Sequence, residues 1–423
     1  MIVTVKSGDT VNSLSREYGV LPDKIIADNG LTENGELVVG QSLVILRASR
    51  VYDASVGESV NSVSQMYDIP VRTIYRNNIF LGGKPQLDSN SQIVLEYEEK
   101  ASLRRFIGGY AYEFISQDLL DKVIPYMTYL MPFTYGFTPD GELIYPEDDR
   151  LIETAKRSGS RVLMHLSTLT ENGNFSNELA NILLLNPEAT ENLITNSVEN
   201  VIDKGYDGID IDFEFLLRED RERYVSFIRR MTEEMNRNGF ICVVAVPPKV
   251  SDEQMGLLYE GVDYAGLGEA ADYVLSMTYE WGYRFGPPLA VAPVPNVRRV
   301  LDYAVSRIPP EKLILGISNY GYDWTLPFVK GESDAPSLSY EEALSLARRY
   351  NAEIIFDEEA KAPFFYYTDE NGNEHVVWFE DARSFEAKVE LIEEYNLSGG
   401  FIWDLMRENP QGYVTLNSLI DIE

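Results

Sequence analysis

Eight short apolar segments, each typical of a buried strand, recur along the chain beyond its first hundred residues. The stretches between them, such as RERYVSFIRRMTEEMNRN, place apolar residues three and four positions apart, as amphipathic helices do. The eight segments are RRFIGGYAY, YMTYLMPFTYG, SRVLMHLS, YDGIDIDFEF, GFICVVAVP, ADYVLSMTYEW, KLILGISNYGY and SGGFIWDL. Such alternation over about 300 residues predicts an α/β fold, a (β/α)8 barrel. A doubly wound open sheet is the competing layout, but no glycine-rich phosphate loop follows the first strand.

The interval between the seventh and eighth segments, about residues 325–385, is unusually long. It contains the helical pattern YEEALSLARRY and the strand-like runs IIFDEE, FFYYTD and EHVVWFE. We therefore expect a small α+β insertion between strands seven and eight of the barrel. Such an insertion is placed to form one wall of a groove above the barrel.

The N-terminal part of the chain contains an internal repeat. GDTVNSLSREYGV at 8–20 aligns with GESVNSVSQMYDI at 57–69, at an offset of 49 residues. Each copy opens with a strand pattern, continues through two short helices and closes with an apolar strand. The sequence thus predicts two small βααβ modules, a first module at residues 1–47 and a second at 48–97, followed by the barrel at 98–423.

The charge of the chain limits its partners. Its 423 residues carry a formal charge of −32, with 36 Lys and Arg against 68 Asp and Glu. This acidic excess argues against binding nucleic acid or an anionic membrane through a basic face. A hydrophobic content of 44% excludes a disordered acidic chain, and 27 tyrosines suit a neutral partner such as a carbohydrate. No apolar run predicts a membrane-spanning helix, and the N-terminus MIVTVKSGDT lacks the pattern of a secretory signal.

Cysteine and histidine are too few to form a structural zinc site. The one cysteine, Cys242, lies in the apolar run FICVVAV and is expected to be a buried, inert thiol. We expect neither a metal ion nor an organic cofactor.

The segment YDGIDIDFEF at 206–215 contains the most informative group of candidate catalytic residues, a series of closely spaced acids. Because side chains alternate along a strand, Asp210, Asp212 and Glu214 project to one face, and the apolar residues project to the other. In a barrel the carboxylates then line the interior, toward the C-terminal rim where barrel enzymes react. Like charges so close cannot all ionise, so one proton is shared and Glu214 at the rim can serve as a general acid. A metal site is the alternative, but three acids along one strand give poor coordination geometry.

The N-terminal repeat resembles the LysM module. The resemblance rests on the opening GDT (GES in the second copy), the tyrosine after the first helix, the paired asparagines and the closing strand. It implies binding to the N-acetylglucosamine backbone of peptidoglycan or chitin. It also implies contact loops at residues 8–10 and 29–31, and at 57–59 and 77–79 in the second copy. An unrelated small α+β repeat that binds proteins is the alternative.

Three motifs of the barrel resemble glycoside hydrolase family 18, the chitinase-like family. DGIDIDFE fits its DxxDxDxE signature, SMTYEW fits its sixth-strand motif of Met, Tyr and an acid, and FIWDL fits its last strand. The positions assigned by the resemblance are Asp207, Asp210, Asp212, Glu214, Met277, Tyr279, Glu280 and Trp403.

This resemblance implies substrate-assisted retention of configuration. Glu214 would protonate the glycosidic oxygen while the 2-acetamido carbonyl of the substrate attacks the anomeric carbon. Asp212, backed by Asp210, would orient the acetamido group, and Tyr279 would donate a hydrogen bond to its carbonyl. Glu214 would then act as the base toward water.

Several further residues have both a structural and a functional interpretation. Asp207 lies off the shared face and is expected to be a structural hydrogen-bond acceptor. Aromatic residues near strand ends could be sugar platforms or core: Tyr110, Tyr112, Trp281, Tyr320 and Trp324. The expected substrate-binding residues are Trp403, Glu280, Met277, Trp281 and Tyr110. The third strand reads HLST where the family has Ser-x-Gly-Gly, and we interpret its His165 as a core residue.

The module order, with NYGYDWTLPFVKG at 319–331 and VVWFEDARSFEAKVEL at 376–391, resembles the spore cortex-lytic glucosaminidases of endospore-forming bacteria. This implies a β-N-acetylglucosaminidase that hydrolyses cortex peptidoglycan or its fragments during germination, held on the polymer by the modules. It also implies a place at the coat–cortex boundary of the spore, after synthesis in the mother cell without a signal peptide. Alternatives are a non-catalytic glycan-binding coat protein, and a chitinase or endo-N-acetylglucosaminidase with another substrate.

Overall fold

The structure is a computed structural model that describes residues 1–89, 91–169 and 175–423. Two small units precede the barrel, and each contains two helices and one antiparallel strand pair, β1 with β2 and β3 with β4. In chain order their elements are β1 (Ile2–Thr4), α1 (Val11–Tyr18), α2 (Pro22–Asp28), β2 (Ser42–Val44), β3 (Ala48–Asp53), α3 (Val60–Tyr67), α4 (Val71–Asn77) and β4 (Gln92–Tyr97).

The same local chemistry starts the first helix of both units. Thr10 Oγ1 accepts a hydrogen bond from the Ser13 amide at 3.0 Å, and the Ser13 hydroxyl accepts one from the Thr10 amide. Ser59 and Ser62 form the same reciprocal cap in the second unit. Because this arrangement satisfies backbone donors that a helix otherwise leaves unpaired, the repeated sequence fixes both helix starts.

The remaining elements alternate between strands and helices. In chain order they are β5 (Leu103–Tyr112), α5 (Gln117–Val123), β6 (Tyr129–Phe133), β7 (Gly136–Phe137), β8 (Leu143–Ile144), α6 (Asp149–Ser158), β9 (Arg161–Ser167), α7 (Asn177–Leu185), α8 (Pro187–Lys204), β10 (Gly208–Asp212), α9 (Arg221–Arg237), β11 (Ile241–Val246), α10 (Tyr264–Ala270), β12 (Tyr273–Ser276), α11 (Val294–Val305), β13 (Leu313–Ser318), β14 (Gly321–Thr325), β15 (Ser337–Leu338), α12 (Tyr340–Arg349), β16 (Ile355–Asp357), β17 (Ala362–Thr368), β18 (Glu374–Trp378), α13 (Ala382–Glu394), β19 (Gly399–Trp403), α14 (Pro410–Leu419) and β20 (Ile420–Ile422).

Eight of these strands close into a parallel barrel. Their order is β5-β6-β9-β10-β11-β12-β13-β19, and β19 returns to pair with β5, with Gly399 opposite Phe106. Apolar side chains such as Leu163 and Val243 fill the barrel, while Ile209 belongs to a second layer between strands and helices. The predicted (β/α)8 barrel is confirmed. Within the described ranges, no helix is long and apolar enough to cross a membrane.

The insertion between β13 and α13 is a five-stranded antiparallel sheet, in the order β15-β14-β18-β17-β16, with α12 packed on it. It extends from Gly321 to Trp378, whereas the sequence predicts about 325–385. The sheet starts earlier because β13 ends at Ser318, and the next segment, GYDWT, pairs with β18 instead of prolonging the barrel strand. The residues after β18 form α13, a helix of the barrel.

Both modules lie directly against the barrel. In the first module, the Asn29 side-chain oxygen accepts a hydrogen bond from Gln411 of α14 at 2.9 Å. In the second module, Asn77 accepts one from Asn417 of α14 at 3.1 Å, and Arg72 donates to the carbonyl of Pro125 at 2.8 Å. The modules are therefore fixed on the barrel by buried and half-buried polar contacts.

This docking differs from what the resemblance implies for the glycan-contact loops. Loops 29–31 and 77–79 face the barrel, and both Asn29 and Asn78 are fully buried. Each of these asparagines donates its side-chain amide to two carbonyls of its own module, so its function is to brace the fold. Loops 8–10 and 57–59 remain at the surface.

The first module also contacts the insertion. Val38 is part of the apolar cluster formed by α12, β17 and β18, and the Val39 carbonyl accepts a hydrogen bond from the Ile354 amide at 2.9 Å. Gly40 has a φ of +83°, and a Cβ built on it would lie 1.8 Å from the Ile354 carbonyl oxygen. The two backbones approach so closely that only glycine fits at this position.

Candidate active site

Strand β10 carries two aspartates into the barrel. Ile209 and Ile211 pack against the helices, so Asp210 and Asp212 point inward. The strand ends at Asp212, and Glu214 lies two residues beyond it, at the C-terminal rim. The alternation predicted for three acids therefore holds along the strand for two of them, and the third projects from the loop.

The neighbours of Glu214 determine where it points. Phe213 packs on the outer side of the barrel, where it stacks on Phe137 at 5.2 Å and on Phe227 at 5.6 Å. Phe215 adopts a φ of 57°, which is uncommon for a bulky residue, and turns its ring toward solvent. Between these two outward side chains, Glu214 lines a cavity at the rim.

Asp210 forms the buried base of the acidic cluster. Its Oδ2 accepts a hydrogen bond from the Tyr110 hydroxyl at 2.8 Å and lies 2.8 Å from Nδ1 of His165. His165 is the residue of β9 directly beside Asp210, and its ring stacks on Phe133 at 4.8 Å. Because Asp210 is fully buried, a charge on it depends on these two partners.

Burial and mutual repulsion raise the pKa values of the other two acids. The pKa of Asp212 rises to about 8, first because the group is buried and second because Asp210 is negative. The pKa of Glu214 also rises to about 8, through burial and then through the charges of Asp212 and Glu280, with His165 opposing the rise. At neutral pH this pair therefore holds a proton, as a general acid must.

The acids open into a cavity of about 410 Å³. Aromatic and apolar side chains form most of its wall, with a few converging polar groups, which is typical of a site for a small organic ligand. Its lining comprises Tyr110, Tyr112, Phe133, His165, Leu169, Phe175, Asp212, Glu214, Ala245, Leu275, Met277, Tyr279, Glu280, Tyr320 and Trp403.

Two neighbouring residues after β12 contribute polar groups to the cavity. Burial raises the pKa of Tyr279 well above its ordinary value, so its hydroxyl remains a hydrogen-bond donor. Glu280 presents part of its surface to solvent, but its carboxylate is packed among side chains, and this burial raises its pKa. The hydroxyls of Tyr320 and Tyr322 both donate to Oε1 of Glu280, which opposes that rise and fixes the orientation of the carboxylate.

The predicted substrate-binding residues divide between two adjoining cavities. Trp403, at the end of β19, packs edge-on against Tyr110 with 5.4 Å between ring centroids, and Met277 lines the same cavity. Trp281 lies instead in an adjoining cavity of about 210 Å³ that shares part of its wall with the first. The structure therefore brings Trp403, Met277 and Tyr110 to the acids, with Trp281 beside them.

Two of the residues singled out by sequence lie away from the cavity. Asp207 accepts a hydrogen bond from the Val162 amide at 2.8 Å and so ties β9 to the start of β10. Trp324 is buried in the insertion, and its indole N–H donates to the Gly286 carbonyl at 2.9 Å. The first is a structural acceptor, and the second is a core residue rather than a sugar platform.

Sequence reasoning missed Tyr322 and the apolar lining residues Phe133, Ala245 and Leu275. The three lining residues occupy inward positions of β6, β11 and β12, so alternation along each strand could have identified them. Tyr322 belongs to the insertion sheet, and no local pattern shows that its hydroxyl reaches Glu280.

In the described part of the chain, no group of three or more His, Cys, Asp or Glu residues is arranged so that it could hold a metal ion. Cys242 is buried on the outer side of the barrel wall. Burial raises the pKa of its thiol to about 12, so the thiol is inert near neutral pH.

Comparison with known proteins matches the chain to two families and to several solved structures. Residues 122–408 match Glycosyl hydrolases family 18, and residues 3–46 match the LysM domain. The chain is 37% identical to the cortical fragment-lytic enzyme of Bacillus cereus, over 97% of this chain and 96% of that protein. It superposes on the spore cortex-lytic enzyme SleL of Bacillus megaterium QM B1551 with a TM-score of 0.84 and 35% identity, covering 100% of this chain and 98% of that chain. A chitinase from Chromobacterium violaceum ATCC 12472 superposes with a TM-score of 0.69 and 26% identity, over 74% of this chain and 98% of that one.

The barrel and its acidic cavity, together with these matches, define the protein as a glycoside hydrolase. The matched residues 122–408 contain the whole acidic cluster on β10 and the strands on either side of it. The chain belongs to glycoside hydrolase family 18 and carries a LysM domain at its N-terminus.

The raised pKa values predict how stability depends on pH. A carboxyl group that titrates near 8 when folded and near 4 when unfolded stabilises the fold below pH 4, and this contribution is lost as the pH rises to 8. We expect Glu214→Gln, which cannot ionise, to melt at a temperature close to wild type at pH 5 and about 2–6 °C higher at pH 9. The measurement is thermal unfolding of both proteins at each pH. The exposed Glu219→Gln is the control, and an equal difference for both variants would contradict this prediction.

Proposed function

We propose that this protein is a retaining β-N-acetylglucosaminidase that hydrolyses spore cortex peptidoglycan or its fragments by substrate-assisted catalysis. The observation that carries the proposal is the cavity in which Asp212 and Glu214 lie together with Tyr279 and Trp403, where burial raises the pKa of both acids to about 8. An acid of raised pKa at the rim can protonate a leaving oxygen at neutral pH. The aspartates lie beneath it, which suits a reaction in which the substrate provides its own nucleophile.

In the first half of the reaction, Glu214 gives its proton to the glycosidic oxygen as the bond to the anomeric carbon breaks. The acetamido carbonyl oxygen of the same sugar forms the new bond to that carbon, giving an oxazolinium ion. Asp212 accepts a hydrogen bond from the acetamido N–H and its charge stabilises the ion, while Tyr279 donates to the carbonyl oxygen. Trp403 supports the apolar face of the sugar ring.

In the second half, the deprotonated Glu214 takes a proton from water, and the water oxygen attacks the anomeric carbon from the face that the leaving group vacated. The bond to the acetamido oxygen breaks, and the product keeps the β configuration. Because Glu214 ends protonated, the cluster returns to its starting state. Two displacements on one carbon explain why configuration is retained.

The substrate class is supported by the relatives and by charge. Two of the relatives that match over nearly the whole of both chains are named a cortical fragment-lytic enzyme and a spore cortex-lytic enzyme. A net charge of −32 repels the carboxylates of peptidoglycan stem peptides, so recognition depends on the neutral sugars. The names of these relatives support action on the spore cortex, and we propose that the protein is made in the mother cell and works at the boundary between coat and cortex.

We propose further that the modules hold the enzyme on the glycan through the surface loops 8–10 and 57–59. Two weak contacts on one rigid body act together, because binding of the first raises the local concentration for the second. Full-length Glu214→Gln is expected to sediment with insoluble peptidoglycan as wild type does, and soluble N-acetylglucosamine oligomers should compete. Failure to sediment would remove the anchoring function without affecting the assignment of the catalytic acid.

Digestion of defined polymers tests the reaction and the substrate together. Purified cortex, chitin and a high-mannose glycoprotein are incubated with the enzyme, the products are reduced, and mass spectrometry identifies the sugar at each new reducing end. Reducing-end N-acetylglucosamine from cortex alone is the expected result. Release from chitin or from the glycoprotein instead would assign the same chemistry to another substrate. Absence of cleavage in all three would favour a non-catalytic glycan-binding protein.

A further inference from the structure

His165 lies on the floor of the catalytic cavity, where the sequence indicated an ordinary core residue. Its side chain is 1% exposed, and Asp210 beside it is 0% exposed. The ring is held on one side by Phe133, which stacks on it, and on the other by Tyr110, whose ring meets it edge-on at 5.2 Å. The imidazole therefore has one fixed orientation, with Nδ1 directed at Asp210.

Three polar atoms at this floor are buried and unpaired. Among the described residues, Nε2 of His165, Oδ1 of Asp210 and Oδ1 of Asp212 have no hydrogen-bond partner. By contrast, Oδ2 of Asp210 has both Tyr110 and His165 within 2.8 Å. Burying a polar atom without a hydrogen-bond partner costs free energy of folding. The arrangement therefore indicates a functional site rather than ordinary core packing.

His165 is surrounded by acids and phenols. Asp210 lies directly beside the ring. The other titratable groups that line the same cavity are Tyr110 and Tyr112 from β5, Asp212 from β10, Glu214 beyond β10, Tyr279 and Glu280 beyond β12, and Tyr320 beyond β13. Strand β6 adds the Phe133 ring, and β11 adds Ala245. Within the described residues no Lys or Arg lines this cavity, so the imidazole is the one nitrogen base facing the carboxylates.

We propose that His165 is a positioning residue of the hydrolysis: it donates Nδ1–H to Oδ2 of Asp210, so that Asp210 stays an acceptor and the proton of the cluster is left to Asp212 and Glu214. Tyr110 donates to the same oxygen, and two donors on one oxygen stabilise the carboxylate form. If Asp210 took the proton instead, Glu214 would lack it when the glycosidic bond has to break. The inference rests on the proposed function, since it assigns Glu214 as the acid.

Removing the Nδ1–H donor of His165 should shift the pH dependence of kcat/KM in a predictable direction. Without Nδ1–H, a negative charge on the cluster is less stabilised, so its first proton leaves at a higher pH, and the acid limb of the kcat/KM profile moves up. His165 also opposes the rise in the pKa of Glu214, so its removal moves the alkaline limb up as well. The whole profile is therefore expected to move to higher pH, its acid limb by about one unit.

A matched pair of variants separates hydrogen bonding from packing. Asn and Leu have nearly the same shape, but His165→Asn keeps an N–H near the position of Nδ1, and His165→Leu has none. We expect His165→Leu to show the shifted kcat/KM profile on a soluble N-acetylglucosaminide, and His165→Asn to stay near the wild-type profile. If both variants lose activity by the same factor at every pH, with both limbs unmoved, His165 only fills space and the proposal is wrong.

A spectroscopic measurement on the unmutated site does not depend on activity. The chain has 2 histidines, so labelling histidine with ¹⁵N gives two imidazoles, and His375→Gln assigns them. At neutral pH we expect Nδ1 of His165 to carry a proton that exchanges slowly with water, since the ring is buried. A ring with its proton on Nε2 alone would overturn the proposal. Absence of hydrolysis on every substrate would instead sink the proposed function and leave this N–H in place.

Discussion

Glu214→Gln is expected to lower kcat on a glycan substrate by about 10³-fold, within the range of 10² to 10⁴ that a general acid contributes. Gln has almost the shape of Glu but cannot give up a proton, so the leaving oxygen would have to depart as an alkoxide. The aspartates and Tyr279 remain, so substrate binding and the KM should change little. The measurement is steady-state hydrolysis of N-acetylglucosamine oligomers or cortex fragments.

The leaving group distinguishes loss of the acid from loss of the fold. A nitrophenolate departs without protonation, whereas the later attack of water needs Glu214 as a base with either substrate. In the first turnover, Glu214→Gln should therefore release nitrophenolate from a nitrophenyl N-acetylglucosaminide with a far smaller loss of rate than it shows in cleaving a glycan. Asp212→Asn, which removes the charge that stabilises the oxazolinium ion, should lose activity on both substrates alike. Glu219→Gln, an exposed glutamate on the following turn, is the matched control and should behave as wild type. Equal losses of first-turnover rate on both substrates for Glu214→Gln would contradict its assignment as the acid.

The barrel could be predicted from the sequence because each of its strands is buried on both faces. Such strands are written as continuous apolar runs, and YDGIDIDFEF interrupts the pattern with acids at alternate positions. The start of the insertion could not be predicted in the same way. Its first strand, GYDWT, follows the seventh barrel strand after two residues and is as apolar and aromatic, so no local signal separates them.

The positions of the acidic residues could also be predicted from the strand pattern, but only as far as the end of β10. The period of two placed Asp210 and Asp212 inward, but it says nothing about the loop in which Glu214 lies. The docking of the modules on the barrel could not be predicted from the sequence, because it depends on contacts such as that of Asn29 with Gln411, 382 positions away. The sequence alone does not distinguish an asparagine that braces its own module from one in a loop that binds sugar. The distinction requires knowing which surface covers the loop.

That docking predicts that the first module supports the catalytic cavity as well as any glycan. Its Val38 belongs to the core of the insertion, and the insertion sheet in turn carries Tyr322, whose hydroxyl donates to Glu280 at 3.0 Å. The insertion sheet thus connects the module to the wall of the cavity, because β18 packs in the cluster of Val38 and pairs with β14, the strand of Tyr322. Disrupting the contact at Gly40 should therefore lower both the stability of the protein and its catalytic activity.

Gly40→Ala is expected to lower the melting temperature by about 5 °C or more. Its Cβ would lie 1.8 Å from the Ile354 carbonyl oxygen, a backbone atom that cannot rotate away, so the module must shift and lose the Val39–Ile354 hydrogen bond. Gly19→Ala is the control in the same module. Gly19 also has a positive φ, +69°, but nothing lies within 4 Å of its Cβ position, so the variant carries only the backbone strain of about 1 kcal/mol.

Activity on a small soluble substrate then separates support from anchoring. Among the described residues, none from the modules lines the cavity, so a module that only anchors would leave the kcat/KM for a substrate of one or two sugars unchanged. If the module supports the insertion, Gly40→Ala should lower that kcat/KM several-fold, while Gly19→Ala should not. Equal melting temperatures and equal activities for the two variants would mean that the close approach of Gly40 to Ile354 contributes nothing to either property. The comparison isolates one backbone contact, because the two substitutions are the same and the two glycines share the left-handed conformation.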